Sequence, residues 1–155
     1  MPLLQSNNRK AAGWCAIAVI CVSGFEGLRT AAYADPVGIP TICFGETKGV
    51  RLGDRATIEE CQGMLASSLE IANRSVDGCV SAYLPDRRRA ALVSFTYNVG
   101  GHAFCSSTLV RKLNAGDVVG ACDQLLRWDL AKGIRLPGLT KRRAAERAMC
   151  LQGLT

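Results

Sequence analysis

The stretch from Ala11 to Phe25 carries no charge, with Arg9-Lys10 just upstream and Glu26 just downstream. An uncharged run of this length has two physical fates: it packs inside a protein or it enters a bilayer. A basic pair followed by an apolar run has the layout of an export signal's n- and h-regions. It is shorter than the ~20 residues a helix needs to span hydrocarbon. Cleavage near Ser23-Gly24 would leave Glu26 at the new terminus, so an exported segment is expected to be kept. The other fate is a buried first helix. Against it, Ala12, Ala16, Ile20 and Ser23 occupy positions that an amphipathic helix gives to charge. Both readings stay open: after a basic polar tail over 1–10, residues 11–25 are a signal-anchor candidate or the first core helix.

The 155 residues suit one domain that buries roughly 70% of its unfolded surface. With 48% hydrophobic and 21% charged residues the composition is globular, which excludes a disordered chain. A net charge of +6 favours an acidic partner, whether nucleic acid, anionic lipid or bacterial wall polymer. Eight cysteines, an even number, suit an oxidising compartment such as the periplasm. No Cys-x2-Cys pair occurs and His102 is the only histidine, so no zinc site is expected.

Beyond the apolar run, Gly38-Ile39-Pro40-Thr41-Ile42-Cys43-Phe44-Gly45 is β-branched and bounded by glycines, which predicts a short strand. Gly49 to Gly53 reads as a turn with a second strand pair. Thr57-Ile58-Glu59-Glu60 is a capping box opening a helix to about Asn73. Asp86 is placed to cap a helix over Arg87–Val99 that Gly100-Gly101 stops. Ser106 or Ser107 opens a short helix, Asp117 another through Trp128, and Thr140 a terminal helix reaching Leu151 before Gly153. Pro137-Gly138 marks a loop. The expected fold is α+β and mostly helical, with a small β-containing lobe over about 26–56 and a helical lobe over about 57–155 around one cleft.

Glu26, Asp35 and Thr41 stand at the mouth of this small lobe in the spacing Glu-x8-Asp-x5-Thr. Glycoside hydrolysis needs one carboxyl group protonated to release the leaving oxygen and one ionised to activate water or attack the sugar. Glu26 follows Val22-Ser23-Gly24-Phe25 and so belongs to a buried helix end, which suits the acid. Asp35 lies between Tyr33 and Pro36-Val37-Gly38, a wetter turn that suits the ionised partner. Thr41 is uncharged and able to hydrogen-bond a water. Taken alone, Glu26 reads equally as a helix-end carboxylate paired with Arg29, and Asp35 as a turn residue before proline.

The stretch Phe25-Glu26-Gly27-Leu28-Arg29, Tyr33-x-Asp35 and Gly38 to Gly45 resembles the catalytic region of the phage T4-type lysozyme family, glycoside hydrolase family 24. Arg89 to Gly100, Ser107 to Asp117, and the ending from Leu136 to Cys150 resemble that family in the same order. The resemblance covers about residues 17–153 and is strongest to lambdoid phage endolysins with signal-arrest-release anchors. It implies a two-lobed lysozyme-like fold and a muramidase that needs no cofactor or metal. By the same resemblance Glu26 is the general acid and Asp35 the base or charge stabiliser. Thr41 would hold the attacking water on the opposite face of the sugar, giving inversion. The implied substrate is the β-1,4 bond between N-acetylmuramic acid and N-acetylglucosamine in peptidoglycan. The implied setting is a monomer in the host periplasm, tethered to the inner membrane through 11–25 before release. Many relatives carry histidine where this chain has Glu46, which reads as structural or substrate-facing. Asn98 falls near the cleft, in a capping, core or sugar-contacting role.

The remaining features have plainer readings. His102 is expected in an exposed loop, Trp128 in the core, and the clusters Arg87-Arg88-Arg89 and Lys141-Arg142-Arg143 with Arg147 on solvated faces. Three local disulfides are expected: Cys43–Cys61 from strand to helix, Cys122–Cys150 between the last two long helices, and Cys79–Cys105 across the Arg87–Val99 helix. That helix is about 20 Å long, so the last tie needs both flanking loops to fold back. Cys15 and Cys21 are left as buried thiols or as partners in a redox switch. A lytic transglycosylase using one carboxylate is the rival activity, and Asp35 and Thr41 argue against it. A non-catalytic wall binder or nucleic-acid binder has only the basic helix to support it, and no nucleic-acid partner is expected.

Overall fold

The computed structural model describes the backbone of residues 2–152 and the side chains from residue 13 onward. The Gly153 stop and the side chains of Arg9, Lys10 and Ala12 lie outside the described residues. The first helix, α1 (Pro2–Phe25), continues without a break from the basic stretch through the uncharged run. From residue 13 its inner stripe is Trp14, Ala18 and Val22, four residues apart and all buried. Ile20 is 74% exposed and Ala16 is also exposed, so the outer face is apolar rather than charged. Among the described residues no helix is long and apolar enough to cross a membrane.

The chain then forms an antiparallel hairpin of β1 (Arg29–Ala34) and β2 (Pro40–Cys43), with Tyr33 opposite Thr41 and Ala34 opposite Pro40. The first of these strands was not apparent in the sequence. The glycine-rich stretch after β2 forms no second strand pair; it returns to β1 through the bridge Ala31–Arg55 and hydrogen bonds from Ala32 N–H to Asp54 and from Ala56 N–H to Thr30.

Helix α2 (Ile58–Cys79) starts on the expected capping box: Glu60 N–H donates to the Thr57 hydroxyl at 3.1 Å and Thr57 N–H to the Glu60 carboxylate at 2.7 Å. It runs past Asn73 because its buried stripe, Cys61, Leu65, Leu69 and Ala72, continues to Val76. Asn73 ends nothing; its amide donates to Asp77 and its oxygen accepts from Arg89.

Helix α3 (Asp86–Val99) is the hub of the helical body, touching α1, α2 and the last helix, and every residue from Ala90 to Thr96 is buried. Asp86 is its first residue rather than its cap, where its charge still suits the helix N-terminus. Gly100, at φ 92°, ends α3 and lets α4 (Gly101–Cys105) double back. His102 therefore lies on a short helix, not in a loop, and is exposed. The doubling back brings Cys105 to Cys79 despite the length of α3, with Cα atoms 5.6 Å apart in a disulfide.

Helices α5 (Thr108–Asn114) and α6 (Val118–Gln124) open on the side chains of Ser107 and Asp117. A 3-10 turn over Leu125–Arg127 ends the second of them short of Trp128. Lys132 and Gly133, both at positive φ, turn a two-residue hairpin of β3 (Leu130–Ala131) and β4 (Ile134–Arg135). Pro137 starts α7 (Pro137–Leu151) instead of marking a loop, since the first helical turn needs no N–H from it. Thr140 lies inside that helix and donates its hydroxyl to Asp129 at 2.8 Å. Disulfides Cys43–Cys61 and Cys122–Cys150 tie β2 to α2 and α6 to α7, while Cys15 and Cys21 are free and half-buried.

Candidate functional site

Glu26 closes α1, its N–H donating to the Val22 carbonyl at 3.0 Å, and Gly27 at φ 41° turns the chain away toward β1. Burial of Trp14, Ala18 and Val22 against α3 therefore sets where the Glu26 carboxylate points. It remains 28% exposed and accepts from Arg142 Nη1 at 2.7 Å. Arg142 is 5% exposed and lies 4.9 Å over the Phe25 ring, so α1 and α7 hold the carboxylate between them.

Glu26 lines two clefts. One, of about 660 Å³, is shared with Asn98, Lys141, Arg142 and the Leu136–Leu139 segment. The other, of about 310 Å³, faces Arg29, Tyr33, Phe44 and Gly45 of the small lobe. Asp35 and Thr41 line neither cleft. Asp35 sits in the β1–β2 turn, where one carboxylate oxygen accepts from Val37 N–H at 2.9 Å and Ile39 N–H at 2.8 Å. Thr41 is buried on β2 opposite Tyr33 and donates its hydroxyl to the Ile39 carbonyl at 2.9 Å. With its proton committed, the Thr41 oxygen can serve a water only as an acceptor.

Glu46 accepts from the Ser68 hydroxyl at 3.0 Å and lines a separate groove of about 490 Å³ with Lys48, Asp54, Arg55, Met64 and Ile71. It thus ties the small lobe to α2 while one side faces open space. Asn98 is largely exposed and accepts a hydrogen bond from Arg143 Nη2. Glu26 and Asn98 are therefore brought to one cleft, while Glu46 faces another.

The basic clusters are solvated only in part: Arg87 and Lys141 are exposed, while other members turn inward. Arg142 and Arg143 are buried and share the fully buried Glu146: Arg142 Nε donates to it at 3.2 Å and Arg143 Nη1 at 2.6 Å. Arg143 also lies 4.8 Å over the Phe95 ring and donates to the Trp128 carbonyl, with Trp128 edge-on to Phe95 in the core. Arg88 is buried too, donating to the Cys150 carbonyl at 3.0 Å, and Arg89 pairs with Asp77 at 2.6 Å. Spacing carried the missed signal: Glu146 stands four residues after Arg142 and three after Arg143, which places all three on one helix face. Among the described residues, no three His, Cys, Asp or Glu side chains are placed to hold a metal.

Tyr97, on the cleft side of α3, was also missed. Burial, then the charges of Glu46 and Glu26, push its hydroxyl up to about 12, against a smaller opposing pull from Arg142. A tyrosine that ionises near 10 unfolded and near 12 folded leaves stability intact below pH 10 and erodes it as pH rises toward 12. Tyr97→Phe is expected to flatten that alkaline loss in melts taken across the range. An unchanged slope would mean that other groups cause it.

A mostly helical α+β body with a carboxylate at the mouth of a cleft beside a small sheet defines the lysozyme-like class of glycoside hydrolase. Residues 23–146 match the family model described as phage lysozyme, and the chain belongs to that family. It is 40% identical to a SAR-endolysin of Bacteriophage PS119, over 98% of this chain and 96% of the relative. It is equally 40% identical to a SAR-endolysin of Enterobacteria phage P21, over 98% of each. Among solved structures, an endolysin from Escherichia coli O157:H7 phage FAHEc1 superposes with a TM-score of 0.81 at 32% identity, covering 88% of this chain and 91% of that one.

Proposed function

We propose that this muramidase hydrolyses the β-1,4 bond between N-acetylmuramic acid and N-acetylglucosamine in peptidoglycan, lysing the host cell. Glu26 gives its proton to the leaving oxygen, Asp35 supplies the ionised carboxylate, and Thr41 accepts from the attacking water. The reaction inverts the anomeric carbon, an outcome that calls for the two carboxyl groups to stand roughly 6.5–9.5 Å apart with room for a water. Substrate lies between a small lobe over 26–56 and a helical lobe over 57–155, with Asn98 contacting sugar and Glu46 touching its periphery. One observation carries this reading: the helix-end carboxylate of a phage-lysozyme chain, held by a buried arginine, opens onto clefts on both sides. Product analysis tests it. Hydrolysis yields a reducing muramic acid end, whereas a lytic transglycosylase leaves a 1,6-anhydro sugar lighter by one water.

The same reading places the protein in the periplasm as a monomer, held at the inner membrane through 11–25 until α1 packs onto α3. The uncharged outer face of α1 supports this, since folding alone does not require it. Ile20 offers the separating test, because it faces solvent in the folded protein. Ile20→Lys is expected to leave the purified enzyme's melting point and activity near wild type, as exposed substitutions do, within about 0.5 kcal/mol. In a bilayer the same lysine costs about 3 kcal/mol, so membrane retention in fractionated cells should fall sharply. Unchanged retention would remove the anchor from the reading.

A further inference from the structure

Glu146 belongs to no cleft and touches no open surface; it is wholly buried, yet three donors converge on its carboxylate. The Ser94 hydroxyl donates to Oε1 at 2.7 Å, Arg142 Nε to the same oxygen at 3.2 Å, and Arg143 Nη1 to Oε2 at 2.6 Å. Each guanidinium then bonds by its other end to a residue lining the 660 Å³ cleft: Arg142 Nη1 to Glu26, and Arg143 Nη2 to Asn98. Two arginines adjacent in sequence thus fan out from one carboxylate, one toward the proposed acid and one toward the proposed sugar contact.

We propose that Glu146 is the positioning residue of the site: it fixes the geometry of Glu26 and Asn98 together and balances the charge beside Glu26. The inference rests on the reading of Glu26 as the acid. Two further observations support it. The four side chains Glu26, Arg142, Arg143 and Glu146 sum to zero charge in a region where three of them are at most 5% exposed. Without Glu146, two buried guanidinium groups face Glu26 alone, and an uncompensated positive charge favours an ionised carboxyl group over the protonated one that the acid must present. The remaining hydrogen bonds of the arginines go to fixed backbone carbonyls, Ser94 for Arg142 and Trp128 for Arg143, so Glu146 is the hydrogen-bond partner they have in common.

The groups that face this assembly are few. From α3 comes Tyr97, from α7 Lys141, from β1 Arg29 and Tyr33, and from α1 the thiol of Cys21, which burial and the Glu146 charge push up. Removing Glu146 alters the balance at Glu26 and, among these groups, also removes one of the charges that raise Cys21.

The test is the full pH profile of kcat and KM for Glu146→Gln and Arg143→Gln, with Glu26→Gln run beside them. Glu146→Gln keeps the shape and one acceptor oxygen. Its kcat is expected to fall by about 100-fold, the size of loss that an ångström of misplacement produces. Its alkaline limb is expected to move to lower pH, the direction that loss of a neighbouring negative charge dictates. Arg143→Gln removes a positive charge and frees Asn98, so its KM is expected to rise and its alkaline limb to move the other way. A merely structural Glu146 would lower the melting point and move neither limb. A folded Glu146→Gln with wild-type kcat and an unmoved limb overturns the proposal. If Glu146→Gln does not fold, Arg143→Gln decides, and wild-type KM with an unmoved limb there overturns it equally. An active Glu26→Gln would instead bring down the assignment of the acid, so the two failures are separable.

Discussion

Glu26→Gln is expected to lower wall-clearing activity by at least about 1,000-fold and to leave the melting temperature within a few degrees of wild type. The activity term follows from chemistry: an amide matches the carboxyl group in shape but cannot give up a proton to the glycosidic oxygen. General acid catalysis is worth about 100- to 10,000-fold. The stability term follows from what Arg142 still holds. Glu26 is only partly buried, and Arg142 keeps Glu146 at 3.2 Å and the Ser94 carbonyl at 3.3 Å when that carboxylate is neutralised. The glutamine oxygen can accept from Nη1 as well, so the loss is about 1 kcal/mol, the size of one partly exposed bond. Turbidity decay of permeabilised Gram-negative cells, paired with thermal melts on the same preparations, measures both quantities. A glutamine variant that clears walls at the wild-type rate would move the acid elsewhere, whereas one that is inactive and unfolded would show that Glu26 holds α1 in place.

The parts of this architecture that were readable in the sequence are those set by local chemistry. Thr57 with Glu60, Ser107 and Asp117 each cap the helix that follows, because a side-chain oxygen satisfies a backbone N–H only a few residues away. Thr140 and Asp86 have the same residue types but sit inside the first turns: Thr140 is held by its tertiary bond to Asp129, and Asp86 follows Pro85, which takes the cap position. Strand β1 was hidden because Arg29-Thr30-Ala31-Ala32-Tyr33-Ala34 alternates poorly; its pairing with β2 and with the Asp54–Ala56 backbone makes it a strand. The spacing of Glu26, Asp35 and Thr41 could be read directly. The residues behind Glu26 could not, because a run of lysine and arginine on a helix reads as a solvated face until a buried carboxylate is seen to answer it. Arg143 is 1% exposed for that reason, whereas Lys141, two residues earlier and so on another face of the helix, remains in solvent. Likewise, the Cys79–Cys105 tie depended on whether the chain doubles back at Gly100, which no local signal in α4 declares.

Replacing Cys43 and Cys61 together by alanine is expected to cost about 3 kcal/mol, because the disulfide closes a loop with a sequence separation of 18. For a chain of this length that corresponds to a fall of about 6–12 °C in melting temperature. Both cysteines are wholly buried, so reductant should reach this bond later than Cys79–Cys105, whose residues are half-buried. The position of the bond matters more than its loop. Thr41 lies two residues before Cys43 on the same short strand, and Cys61 is in the opening turn of α2. The disulfide therefore pins the strand bearing Thr41 to the helix that carries Ser68, the partner of Glu46. Cys43 also adopts φ 61°, a left-handed conformation that costs a residue with a side chain about 1–2 kcal/mol. With the bond intact that cost is carried by the cross-link; without it, the strand is free to relax and Thr41 to move with it. Cys43→Gly with Cys61→Ala should therefore be more stable than the double alanine by about 1 kcal/mol, since glycine accepts positive φ freely. Activity should not follow that recovery, because glycine restores the backbone angle and not the anchor. Melting curves and turbidity rates on the two double variants read the two effects apart. Equal melting points would refute the strain at Cys43, and full activity in either variant would show that β2 needs no tie to α2 to present Thr41.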